Sequence, residues 1–129
     1  MQNSNRRRRG DIIWVDLGQH PGRHIQSGRR PCLIVNTDKS RANVYTVLPG
    51  SSKMEKKDFP VHVTVEPKEV HGKLSQTTIF MAEQLVTIDE TQVLLKAGYI
   101  DKDSAAMQSI NNILIRQLEL DTQEVYSNV

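Results

Sequence analysis

Apolar residues in this chain fall into short runs broken by polar stretches rich in glycine, proline and charge, the spacing of strands more than of helices. Asp11-Ile12-Ile13-Trp14-Val15-Asp16 reads as a first strand, with Ile12 and Trp14 inward and Ile13 and Val15 as further inward candidates. Pro31 to Asn36 reads as a second; its unbroken run from Cys32 to Val35 is short and β-branched, as in a buried strand. Val44 to Leu48 forms a third, which Pro49-Gly50-Ser51-Ser52 ends abruptly. His62 to Val65 alternates and makes a fourth, with Pro60 confined to its start. Thr77 to Ala82 and Gln84 to Ile88 supply a fifth and a short sixth. Asp89-Glu90-Thr91 caps one helical turn through Val93 or Leu94. The period then changes. Met107, Ile110, Leu114 and Leu118 recur at spacings of three and four, one stripe of an amphipathic helix capped by Asp101 or Asp103. Closely spaced short strands closed by a helix predict a small barrel, and the chain contains no internal repeat.

Size and composition narrow this picture. At 129 residues the chain is one domain, long enough to bury its own core. The pattern divides it into a basic disordered tail (residues 1–9), a single domain (10–120) and a polar tail (121–129). The single cysteine, Cys32, excludes an intramolecular disulfide and a cysteine-based zinc site, and a reducing cytoplasm is the simplest setting. No apolar run approaches a membrane span, and the basic N-terminus lacks the apolar region of a signal peptide. The net charge of +2 conceals an asymmetry: residues 1–57 carry a balance of +8 and residues 58–129 one of −6. A basic half of this kind suits an anionic ligand such as nucleic acid.

The chemistry on offer is sparse. The four histidines are scattered; His20 and His24 lie four apart, but in a Pro/Gly loop where helical spacing does not apply, so no metal is expected. None of the common phosphate-loop or nucleophile-elbow motifs occurs. The focus falls on Gly28-Arg29-Arg30-Pro31-Cys32-Leu33-Ile34-Val35-Asn36. Pro31 holds Arg30 extended at the mouth of a strand, a rigid mount for a permanent cation where an anion binds. The preceding loop, Leu17 to Arg29, is long for a compact domain, which favours a functional role. His24, Arg30, Ser51, Ser52, Glu83 and Gln84 complete the polar residues borne on loops.

The order of these blocks carries a resemblance. Arg9-Gly10-Asp11-Ile12-Ile13-Trp14 is similar to the opening of the MazF/PemK (Kid-like) toxin family, and Gly28 to Val35 matches its G-x-R-P-[VC]-L-[IV]-[IV] signature. Pro49-Gly50-Ser51-Ser52-Lys53 resembles its P-[LIV]-T-[ST] segment, Phe59-Pro60-Val61-His62-Val63 its F-P-x-H-V, and Glu83 to Asp89 its E-Q-[IL]-R-T-[IL]-D. The blocks occur in family order and, with the C-terminal helix, cover residues 9 to about 118.

The resemblance implies a mainly β (α+β) fold, a small SH3-like β-barrel of the CcdB/MazF type with a C-terminal helix, paired into a homodimer. It implies the toxin of a type II toxin–antitoxin system, a cytoplasmic endoribonuclease (an mRNA interferase) needing no cofactor. Such an enzyme cuts single-stranded RNA at a short sequence and leaves a 2′,3′-cyclic phosphate and a 5′-OH. It also implies a cognate antitoxin that occupies the RNA groove, and a toxin–antitoxin complex that binds DNA. Carried over by position, Arg30 is the family's catalytic arginine. Its threonine falls on Ser51 counting back from Pro60, or on Ser52 counting forward from Arg30, and His24 falls on a histidine that some PemK-like members use. Arg23, Gly28, Arg29, Lys53, Glu83 and Gln84 are the implied RNA contacts.

Two family arginines are missing: Met81 stands where some relatives pair an arginine with the acidic residue, and Val86 replaces the arginine of E-Q-[IL]-R-T. Sequence preference is therefore not inherited. The alternative reading is a non-enzymatic barrel, either a CcdB-like gyrase poison or an inactive RNA-binding module.

Overall fold

The computed structural model describes residues 6–22, 24–39 and 43–121. These contain eight strands and one α-helix: β1 Asp11–Asp16, β2 Arg29–Ile34, β3 Val44–Ser51, β4 His62–Val65, β5 His71–Gly72, β6 Thr78–Met81, β7 Val86–Asp89, β8 Val93–Tyr99 and α1 Ala105–Leu118. All pairings are antiparallel, along the path β4-β6-β3-β2-β1-β8-β5 with β7 added on β3. The long strand β3 organises the sheet. Val44 to Val47 pair with β7, Val47 to Pro49 with β2, and Gly50 and Ser51 with β6. One strand serving three neighbours curls the sheet around its core.

The core has two parts, on opposite faces of β1 and β2. Ile12, Leu33, Leu48 and Phe80 pack with Met107 and Ile110 of the helix. Ile13, Val15, Cys32 and Ile34 pack with Val47 and Ile88. Strands buried on both faces need no polar alternation, which is why Ile12-Ile13 and Cys32 to Ile34 read as continuous apolar runs.

Several boundaries differ from the sequence reading. Strand β2 begins two residues earlier, at Arg29, because Arg29 and Arg30 pair with Asp16 and Val15. Strand β3 does not end at Leu48; Pro49 and Gly50 fall where it changes partners, a place that tolerates a missing N–H. Ala82–Gln84 is a 3₁₀ turn, so the following strand starts at Val86. Asp89 does cap a turn, but it spans only Glu90–Gln92, and Val93 and Leu94 open β8. Strands β5 and β8 were not expected. β5 has only two residues, and Leu94-Leu95-Lys96 of β8 are all exposed and so show no alternation. The helix is capped by Ser104, whose Oγ accepts from the Met107 amide at 3.1 Å, in place of either aspartate. Met107 and Ile110 are buried as expected; Ile113 joins them, while Leu118 is exposed. The outer parts of both predicted tails, residues 1–5 and 122–129, lie outside the described residues.

The chain is already anchored at Arg9. Its guanidinium donates to the Val35 carbonyl and to Asn111 of α1, and its amide donates to Asp38 at 2.7 Å. Gly10 follows at φ +98°, and a Cβ there would stand 2.6 Å from the Ile100 carbonyl oxygen. The close approach reflects two backbone bonds, Gly10 N to Ile34 O and Ile100 N to Gly10 O, each 2.9 Å. Gly10→Ala is therefore expected to lower stability by about 2–3 kcal/mol, measured as a shift in the urea midpoint.

Candidate active site

The antiparallel register sets Cys32 against Pro49. Continued toward the mouth of β2, that register brings Arg30 level with Ser51. A cleft of about 270 Å³ opens there, lined by Arg29 and Arg30 of β2, Gly50 and Ser51 of β3, Ser52, Trp14 of β1, and the segment Lys73 to Gln76 with Thr78. Gly50 is required by crowding, since a Cβ would stand 2.6 Å from Thr78 Cγ2 and 3.1 Å from the Phe80 ring. Among the described residues three cations and no carboxylate line the cleft, which gives it the field of an anion site.

Arg30 is held but not used up. Its Nε donates to the Ser27 carbonyl at 2.9 Å, which orients the guanidinium and leaves both Nη groups for a ligand. Ser51 is buried, and its Oγ accepts from the Lys53 amide at 3.2 Å, so its own proton remains available. Ser52 is exposed. Cys32 is a neutral bystander: burial pushes its thiol up to about 12, with Arg30 pulling more weakly the other way.

Of the remaining predicted residues, those that the structure describes do not line this cleft. His24 is exposed, and its carbonyl accepts from Gln84 Nε2 at 2.8 Å. Gln84 Oε1 also accepts from the Gln26 amide at 3.1 Å, so this side chain pins the β1–β2 loop. Gly28 closes the neck of the same loop, exchanging backbone bonds with Leu17 and Gly18. Lys53 contributes its amide, and Arg23 lies outside the described residues. Glu83, which lacks the arginine some relatives provide, has found an imidazole instead. His62 Nε2 donates to its two oxygens at 2.8 and 2.9 Å. The other ring nitrogen donates to the Lys56 carbonyl at 2.6 Å, and the ring stacks on Phe59 at 4.8 Å. With a partner before each nitrogen, the ring is held at both ends. It ties the β3–β4 connector to the turn after β6.

Sequence reasoning missed Lys73, Gln76 and Thr78. They sit in a polar stretch with no motif of its own, and only the pairing of β6 with β3 brings them to the cleft. Trp14, read as a core residue, does pack against the core but also forms part of the cleft wall.

The family of PemK-like, MazF-like toxins of type II toxin–antitoxin systems matches residues 8–118. The endoribonuclease MazF of Staphylococcus saprophyticus is 29% identical over 117 residues, covering 89% of this chain and 93% of that protein. A mycobacterial endoribonuclease, solved in complex with its cognate antitoxin, superposes with a TM-score of 0.70 at 20% identity, over 90% of this chain and 98% of that one. MazF of Deinococcus radiodurans gives 0.69 at 20% identity, over 88% and 97%. At such identities the structural likeness establishes the fold.

Proposed function

Because this chain belongs to the PemK-like, MazF-like toxins of type II toxin–antitoxin systems, we propose that it is an endoribonuclease that cuts single-stranded RNA in the Arg30–Ser51 cleft. The observation that carries this reading is an arginine whose Nη groups have no partner among the described residues, sharing a cleft lined by cations with a buried serine hydroxyl.

In this reading the RNA supplies its own nucleophile. The 2′-oxygen attacks the adjacent phosphorus, the P–O5′ bond breaks, and a 2′,3′-cyclic phosphate and a 5′-OH result. One proton leaves the 2′-hydroxyl and one reaches the departing O5′. The enzyme holds the phosphate in line and offsets the charge that builds on the phosphorane. Arg30 spans two phosphoryl oxygens, a geometry for which its planar fork is suited. Ser51, fixed by the Lys53 amide, donates its O–H to a phosphoryl or leaving oxygen. Arg29 and Lys73 attract the RNA backbone. His24 and Glu83 do not line the cleft and are given no step in this reading.

The reading includes a cognate antitoxin that competes with RNA for the cleft, and a cytoplasmic setting. It also includes a homodimer, seated on the apolar groove of about 440 Å³ formed by Val35, Leu85, Leu114, Ile115, Leu118 and Leu120.

The test is incubation with a long single-stranded RNA in EDTA, mapping ends by primer extension. Discrete cuts bearing a 5′-OH are expected; intact RNA overturns the proposal. The two serines are expected to separate. Ser51→Ala lowers kcat by about 10- to 100-fold, the effect of removing one oriented donor, while exposed Ser52→Ala stays close to wild type. Single-turnover cleavage rates of the two variants decide this.

A further inference from the structure

The β1–β2 loop, residues 17–28, is long for so small a domain, yet it carries the carbonyl that orients Arg30. That carbonyl belongs to Ser27, and it accepts from Arg30 Nε at 2.9 Å. The loop is fastened on either side of Ser27. On one side Gly28 closes the neck: its amide donates to the Gly18 carbonyl at 2.8 Å, and its carbonyl accepts from the Leu17 amide at 2.9 Å. On the other side the fastening comes from a distant part of the chain. Gln84 Oε1 accepts from the Gln26 amide at 3.1 Å, and its Nε2 donates to the His24 carbonyl at 2.8 Å. The carboxamide thus stands in for a neighbouring strand, offering backbone an acceptor and a donor together. Gln84 is itself on a fixed mount. It ends the 3₁₀ turn Ala82–Gln84, whose Ala82 amide donates to the Val61 carbonyl at 3.0 Å and whose Glu83 side chain is bonded to His62.

We infer that Gln84 is a positioning residue for Arg30: by holding residues 24 and 26 it fixes the Ser27 carbonyl, and through it the guanidinium. The inference rests on the endoribonuclease reading above, in which Arg30 meets a phosphoryl group in line. Ser27 has little rigidity of its own, since it adjoins a glycine at φ +77°. Released on the Gln84 side, its carbonyl moves with the loop, and the guanidinium loses the partner that sets its plane. A charged donor displaced by about 1 Å still attracts a phosphate but loses much of its hold on the transition state. Gln84 does not line the cleft. Its removal therefore acts on the rate of the bound complex and not on RNA affinity.

The test uses Gln84→Ala and Gln84→Met, the second keeping the volume without either hydrogen bond, each alone and combined with Arg30→Lys. Single-turnover cleavage of a long single-stranded RNA over a range of protein concentrations separates rate from affinity. Proton–nitrogen NMR of the free protein follows the Arg30 Nε–H and shows that each variant is folded. Both Gln84 variants are expected to lower the saturated rate about tenfold or more and to shift or broaden the Arg30 Nε–H resonance. The half-saturating concentration is expected to stay within about twofold of wild type. In the Arg30→Lys background, where no Nε reaches Ser27, the same substitutions are expected to add little. Fully additive losses in that background, or a loss confined to affinity, mean that Gln84 meets the RNA itself and overturn the inference. A wild-type rate in Gln84→Met assigns the side chain a packing role and also overturns it, as does an Arg30 Nε–H resonance unchanged in both variants. A wild type that leaves RNA intact overturns the endoribonuclease reading, and the resonance alone then decides whether Gln84 orders Arg30.

Discussion

Arg30→Ala is expected to lower single-turnover RNA cleavage by about 10²–10³-fold, the cost of removing a preorganised charged donor from a transition state, while the protein still folds. The folding half of this expectation follows from what the side chain touches. Among the described residues its one hydrogen bond is from Nε to the Ser27 carbonyl, and the pairing of Arg30 with Val15 in β1 is made by backbone. Truncation therefore costs about 1 kcal/mol of stability, too little to account for lost activity. Arg30→Lys is expected to recover only a small part of the rate. An ammonium keeps the charge but cannot bridge two phosphoryl oxygens while also donating back to Ser27. A wild-type rate in a well-folded Arg30→Ala protein would remove Arg30 from the chemistry and with it the proposed mechanism.

The largest expected effect on stability is at Phe80. It is fully buried, pairs with Gly50 on one side and Val63 on the other, and its ring packs directly against Gly50. Phe80→Ala removes a whole ring beneath the strand junction that carries Ser51, with an expected loss of about 3–5 kcal/mol. For a small domain whose total stability is about 5–15 kcal/mol, urea unfolding should show a midpoint shifted far toward zero. Phe80→Leu keeps most of the volume and is expected to recover much of the loss. A midpoint unchanged in Phe80→Ala would mean that the β3–β6 junction is not part of the cooperative core.

These expectations draw on different levels of the molecule. Strand positions were largely readable: β1 and β4 fall where their apolar patterning places them, because the inward residues of a strand repeat over short distances. The R-P step was readable for the same reason, since proline restricts its own residue and the one before it. What failed was local in another sense. Pro49-Gly50 reads as a strand terminus from its residue types, and in the fold it is the place where β3 passes from β2 to β6. Leu94-Leu95-Lys96 carries no period-two signal, yet β1 recruits it as β8.

The sequence by itself determined that the protein is a mainly β domain closed by an amphipathic helix, with a permanent cation at the entrance of a buried strand. Its ordered motifs also pointed to the toxin family. Only the tertiary structure decided that Arg29, Arg30, Ser51 and Lys73 share one cleft. Only it turned Glu83 toward His62 and Gln84 toward the β1–β2 loop. The physical reason is the range of the forces involved. Side-chain periodicity and backbone restriction act over a few residues and are written in the order of the chain. Strand register and the crossover of β3 set contacts between residues twenty to sixty positions apart, where no local pattern reaches.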